Sequence, residues 1–182
     1  MALSLTVWLC AREKRAMPKS IILMEPSACS IIFCGFTSLS AEKLPAIDYK
    51  SIAAEITNGC SKKNDQARAI YRYLTQNIAY DTDYKIRDAA ACWRQKKGVC
   101  QAFADLFIKL CEPLGIKCIL ATGFAKTYDH IPGTPFERHA YVLVEGDRPN
   151  RYFFVDATWG SGTVNNGTFA CSDDDMSWFH TS

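Results

Sequence analysis

The chain has 182 residues, of which 48% are hydrophobic and 22% charged, which suits one globular domain with a sizeable core and leaves little room for a second. Its net charge of +2 is too near balance to favour nucleic acid, and no basic face with interleaved aromatics is present. Nine cysteines follow no paired Cys-x-x-Cys spacing, which argues against zinc, and their odd number leaves at least one thiol free.

Residues 1–46 differ in character from the rest. An apolar start is broken by Arg12-Glu13-Lys14-Arg15, and Met17-Pro18-Lys19 then opens a second apolar tract over 20–36 whose only charge is Glu25. Small residues, Thr37-Ser38-Leu39-Ser40-Ala41, follow. A short basic start, an apolar run and small residues are the parts of a secretory signal peptide, so residues 17–41 predict a secreted or periplasmic protein. The alternatives are a buried or partner-covered segment of a cytoplasmic protein, and an extension upstream of the true start. Glu25-Pro26 and the brevity of the run argue against a membrane span, which needs about 20 apolar residues.

Leu44-Pro45-Ala46 marks a boundary, because proline forces its predecessor out of helical geometry. The domain proper is expected over 47–182. Ile52, Ala53 and Ile56 predict a first helix stopped by Asn58-Gly59. Asn64-Asp65 is expected to cap a second, in which Ala67, Tyr71, Leu74 and Ile78 recur at helical steps. Both should pack behind the helix that begins at Cys100. A shorter helical stretch over 88–97, with Ala89, Ala90, Cys92 and Trp93 as its apolar members, is expected to end at Gly98.

Gly98-Val99-Cys100 then delivers a cysteine to the first turn of a helix whose apolar face is Phe103, Leu106, Phe107, Leu110, Cys111 and Leu114. The first N–H groups of a helix lack internal partners and carry positive partial charge, which favours thiolate over thiol. Arg94, Lys96 and Lys97 nearby should add to that. Cys100 therefore reads as a nucleophile, whereas Cys111, on the apolar face, and Cys118, in the apolar run 116–121, read as small hydrophobes.

Gly115 turns the chain into residues 116–124, a buried-strand pattern, and residues 125–137, with two prolines, Gly133 and His130, read as a loop beside the active-site mouth. A nucleophilic cysteine needs a base, and only His130, His139 and His180 are available. His139 opens the strand Arg138-His139-Ala140-Tyr141-Val142-Leu143-Val144, which runs into Glu145-Gly146-Asp147. The next strand, Arg151-Tyr152-Phe153-Phe154-Val155, ends at Asp156. If the two form a hairpin, His139 and Asp156 fall near the same end of it, carboxylate beside imidazole. In the tail, Ser172-Asp173-Asp174-Asp175 reads as a helix start before it reads as a metal site.

The order Gly-Val-Cys at 98–100, His-Ala-Tyr at 139–141 and Val-Asp-Ala-Thr-Trp-Gly at 155–160 resembles the transglutaminase-like core of the papain-like cysteine enzymes. Ile78-Ala79-Tyr80-Asp81 and Trp93-Arg94-Gln95-Lys96-Lys97-Gly98 resemble the branch that includes the kyphoscoliosis peptidase and bacterial transglutaminase-like proteins. The likeness covers residues 48–180. It implies an α+β papain-like fold, with leading helices, the cysteine at a helix start, and an antiparallel sheet behind. It also implies a Cys100, His139 and Asp156 triad acting by thiol-dependent acyl transfer on a peptide or glutamine carboxamide, as peptidase, amidase or transglutaminase, with no cofactor and no evident calcium site. Tyr80, Trp93 and Gln95 are candidates for the second oxyanion donor, beside the Cys100 N–H. The rival expectation is a non-catalytic module that keeps the cleft to hold an extended peptide. Either way the expected partner is a protein or peptide; the sequence does not indicate an oligomeric state.

Overall fold

The computed structural model describes residues 44–126 and 132–180; the leader predicted over 17–41, and His130, lie outside them. Helix α1 (Tyr49–Ile56) starts at Asp48, whose carboxylate accepts from the N–H groups of Lys50 and Ser51 at 3.1 Å each. It stops at Thr57, whose hydroxyl donates back to the Ala53 carbonyl at 2.8 Å. Helix α2 (Lys63–Asn77) buries Ala67, Tyr71 and Leu74 completely, as their spacing requires. Its expected cap is displaced: the helix begins behind Lys62, without a side-chain cap bond. Asn64 instead exchanges two hydrogen bonds with Asp147, donating its N–H at 3.3 Å and accepting at its Oδ1 from the Asp147 N–H at 3.1 Å. The start of α2 is thereby tied to a hairpin turn far along the chain.

Strand β1 (Ala79–Tyr80) follows, and helix α3 (Ala89–Gln95) is capped by Asp88, which accepts from the Ala91 N–H at 2.9 Å. Gly98 does not end this helix. Lys96 does, in the left-handed conformation at φ 54°, with its ammonium 3.4 Å from the centre of the Trp93 ring. Gly98 lies buried in β2 (Lys97–Gly98), paired in parallel with β1. A Cβ there would stand 2.8 Å from the Ala102 Cβ and 2.9 Å from the Cys92 Sγ, so glycine is what lets α3 and the next helix close on each other.

That next helix, α4 (Cys100–Cys111), is the hub. Phe103, Leu106, Phe107, Leu110 and Cys111 are all buried, and the helix packs against α1, α2 and α3 as well as the sheet. A short 3₁₀ turn, Glu112–Leu114, and Gly115 at φ +68° lead into β3 (Cys118–Ala125), then β4 (Glu137–Glu145) and β5 (Tyr152–Val155). Helix α5 (Ala157–Ser161) and the hairpin of β6 (Gly162–Asn165) and β7 (Thr168–Cys171) come next. Asn166 and Gly167, both at positive φ, make its turn, a signal present in the sequence as Asn-Gly. Strand β8 (Phe179–His180) completes an antiparallel sheet of order β3-β4-β5-β8.

Two expectations need correction here. Strand β3 is not buried: Ile119, Leu120 and Phe124 are 47%, 38% and 74% exposed. It is an edge strand, and the sheet's core face comes instead from Ala140, Val142 and Val144 of β4 and from Phe153 and Val155 of β5. The acidic tail run starts no helix. Asp174 sits at positive φ and pairs side-on with Arg72, at 2.9 and 2.8 Å, while the Asp175 carbonyl accepts from the Tyr71 hydroxyl. The run is an anchor onto α2, and it sets β8 against β5. No helix among the described residues is long and apolar enough to cross a membrane.

Candidate active site

The β4–β5 register pairs Val142 with Val155, so His139 near the start of β4 and Asp156 just past β5 come to the same end of the hairpin, as their distances from the turn require. His139 Nε2 lies 2.5 Å from Asp156 Oδ2. Cys100, at the first position of α4, is close enough to the imidazole that each group shifts the other's ionisation. With Nε2 held by the carboxylate, Nδ1 is the nitrogen left for the thiol, and the tautomer is fixed accordingly. The three residues singled out from the sequence thus meet.

Asp156 is held as firmly as it holds. Its Oδ1 caps α5, accepting from the Thr158 and Trp159 N–H groups at 3.1 Å each, and its own N–H donates to the Trp178 carbonyl at 2.9 Å. The carboxylate is 1% exposed. Helix α5 is seated on α2 through Gly160, where a Cβ would fall 2.0 Å from the Tyr71 hydroxyl oxygen.

Burial alone would raise the Cys100 thiol. The His139 hydrogen bond and the backbone N–H groups of Ala140 and Gln101 outweigh it, and the thiol is held below its ordinary value. Burial would likewise lower His139, but Asp156 and Cys100 overcome it and raise the imidazole to about 9. Both shifts favour a thiolate–imidazolium pair at neutral pH. The cations expected to help are engaged elsewhere. Arg94 donates to the Pro45 carbonyl at 2.7 Å, Lys96 lies on Trp93, and Lys97 pairs with Asp81 at 3.3 Å.

Of the three oxyanion candidates, Tyr80 is half-buried and carries a hydroxyl donor: burial chiefly, then the charges of Tyr84, Cys100 and Glu137, raise its phenol. Trp93 is stacked on Tyr73 at 5.7 Å, and Gln95 is exposed at the end of α3. Asp81, next to Tyr80, is buried and accepts from the N–H groups of Lys85 and Ile86 at 2.8 Å each, bracing the loop that follows β1.

Sequence reasoning assigned no role to Trp159. Its indole stacks on His139, ring centroids 4.6 Å apart and planes 17° apart, with Trp178 edge-on behind it at 4.6 Å. Its place three residues after Asp156, inside the quoted motif, was the available signal. His180 is the exposed residue of β8, against Phe154, and takes no part. Among the described residues no group of three His, Cys, Asp or Glu side chains could hold a metal ion.

Comparison with known proteins places this geometry in context. The family model described as the transglutaminase-like superfamily matches residues 50–157. The kyphoscoliosis peptidase of Mus musculus is 32% identical over 115 residues, covering 57% of this chain and 17% of that protein. The Lim and transglutaminase domain protein ltd-1 of Caenorhabditis elegans is 25% identical over 128 residues, 65% of this chain and 17% of that one. The chain therefore spans about a sixth of the length of the curated relatives it matches. A solved structure of a candidate cysteine protease from Cytophaga hutchinsonii superposes with a TM-score of 0.52 at 23% identity, covering 60% of this chain and 36% of that one, a likeness of fold.

Proposed function

The chain belongs to the transglutaminase-like superfamily, and from that premise we propose that it performs thiol-dependent acyl transfer with Cys100 as nucleophile, His139 as proton carrier and Asp156 as the carboxylate that orients it. The observation that carries this reading is the continuous line from Cys100 through His139 to Asp156, closed by the 2.5 Å contact between the last two.

The thiolate adds to a carboxamide or peptide carbonyl, forming a C–S bond. The imidazolium gives its Nδ1 proton to the departing amine or ammonia as the C–N bond breaks, leaving a thioester. Water or a primary amine then attacks, Nδ1 takes its proton, and the C–S bond opens to restore the thiolate. Asp156 stabilises the imidazolium and keeps Nε2–H directed away from the thiol. The Cys100 N–H and the Tyr80 hydroxyl are the donors proposed for the oxyanion.

The test is mass spectrometry of candidate protein substrates incubated with the enzyme, with and without a primary amine. Cleaved peptides, deamidated glutamines and amine adducts have different mass changes. Any of them, lost in Cys100→Ala, supports the reading and tells hydrolysis from transamidation; none across a broad peptide library would remove it.

A further inference from the structure

Strand β4 carries Glu137 two positions ahead of His139, so the two side chains share one face of the strand about 7 Å apart. Opposite them on β3 the register sets only small residues: Ala125 across from Glu137, Gly123 across from His139, Ala121 across from Tyr141. Among the described residues a Cβ on Gly123 would meet nothing within 4 Å, so they leave the ground beside His139 open. Glu137 is exposed, and its carboxylate takes part in no ion pair or hydrogen bond among the described residues. Of the cations next to it in sequence or register, Arg138 alternates to the opposite face, and Lys126, one residue past Ala125, forms no ion pair with it among the described residues. The strand position that puts Glu137 beside His139 agrees with the Tyr80 phenol, which is raised by burial chiefly and also by the charges of Cys100 and Glu137.

We propose that Glu137 determines the charge preference of the site, receiving a cationic group, a lysine ammonium or an arginine guanidinium, on the substrate. This rests on the acyl-transfer reading above. An open shelf next to the proton carrier, walled at one end by an unpaired carboxylate, attracts a cation and repels an acidic side chain. The cation has two sources with one chemistry: the residue beside the reacting carbonyl of the acyl substrate, or the acceptor amine.

Two readouts on the full chain test it, one of them independent of turnover. In the first, Cys100 is modified by methanethiosulfonate reagents of matched size bearing a trimethylammonium or a sulfonate head. The thiolate forms a mixed disulfide, methanesulfinate leaves, and the rate is followed on the Cys100 peptide. The cation-to-anion rate ratio should fall about three- to tenfold in Glu137→Gln, invert in Glu137→Lys, and narrow in high salt. An unchanged ratio overturns the proposal. In the second, glutamine peptides with lysine or norleucine beside the glutamine are compared, and on the norleucine peptide, butylamine, an ammonium at neutral pH, is compared with methoxyamine, which is neutral there, as acceptor. Selective loss in Glu137→Gln for the lysine peptide assigns the cation to the acyl substrate; selective loss for butylamine assigns it to the acceptor. Equal loss on charged and neutral partners, or no loss on any, overturns it. If the wild type turns over none of these peptides, the acyl-transfer reading fails on them, and the reagent ratio alone decides Glu137.

Discussion

Trp159 lies nearly parallel to the His139 imidazole, 4.6 Å away between ring centres, and its own N–H is one of the two that hold Asp156 Oδ1. One residue therefore touches both partners of the 2.5 Å contact, covering it from water and limiting the ring's rotation. Trp159→Ala should lower kcat about 10- to 100-fold through misplacement of the imidazole, with KM little changed. Trp159→Phe, which keeps a flat ring, should recover most of the rate. Steady-state kinetics of the two variants, with melting curves alongside, check this; equal rates in Trp159→Ala and the wild type would mean that Asp156 alone fixes the ring.

Cys100 should be alkylated by iodoacetamide at neutral pH faster than Cys111 or Cys118, read by peptide mapping. Cys111 is fully buried, and burial chiefly, then Cys118 beside it, raises its thiol. Because the lowering at Cys100 comes from His139 and backbone N–H groups, His139→Ala should slow the reaction at pH 7 about tenfold or more, since burial then dominates. Arg94→Ala and Lys96→Ala should leave it unchanged. Turnover should follow a bell: it rises as the thiol ionises and falls as His139, raised to about 9, gives up its proton, each limb belonging to the pair.

How much of this was legible beforehand depended on the kind of signal. The buried face of α4, and the meeting of His139 with Asp156, follow from periodicities of 3.6 and 2 and from counting residues to a turn. What the sequence could not give was the neighbour. The apolar run into β3 reads as buried, since a short apolar strand on a sheet edge and one inside it look alike. Lys96 could end α3 at positive φ because its ammonium rests on Trp93, a contact no local rule anticipates. Ser172 to Asp175 has good capping chemistry, but Tyr71 and Arg72 on α2 claim its carbonyl and its carboxylate first.

Gly98→Ala should show how closely the nucleophile depends on that packing. The added methyl would press on Ala102 and Cys92, atoms of two helices with no flexible end to move aside. Overpacking of this kind costs about 1–3 kcal/mol, a few degrees in Tm. Since Cys100 is two residues on, its alkylation rate should fall in the folded variant as well. Thermal melts and labelling at 20 °C separate the two effects. Cys92→Ala, which removes the Sγ contact but not Ala102, should partly restore both.

Substitutions at the three central residues should separate by magnitude, because each removes a different part of the chemistry. Cys100→Ala deletes one small side chain at a helix start and should abolish turnover while the protein still melts cooperatively. Asp156 serves two ends at once, Oδ1 capping α5 and Oδ2 holding His139. Asp156→Asn keeps a good cap, so its stability should stay near wild type, whereas Asp156→Ala should lose about 1–2 kcal/mol from the cap alone. In rate, the asparagine presents no charge to the imidazolium and disturbs the tautomer, a change worth about four orders of magnitude in serine-protease triads. The loss here should be smaller, about one to three orders, since a thiol ionises more readily than a hydroxyl and depends less on its base. His139→Ala should fall between that and the Cys100→Ala floor, losing both the thiolate's counter-ion and the acid for the leaving group. Turnover by Cys100→Ala at the wild-type rate would place the chemistry elsewhere in the chain, and a larger loss for Asp156→Asn than for His139→Ala would mean that the carboxylate acts on substrate directly.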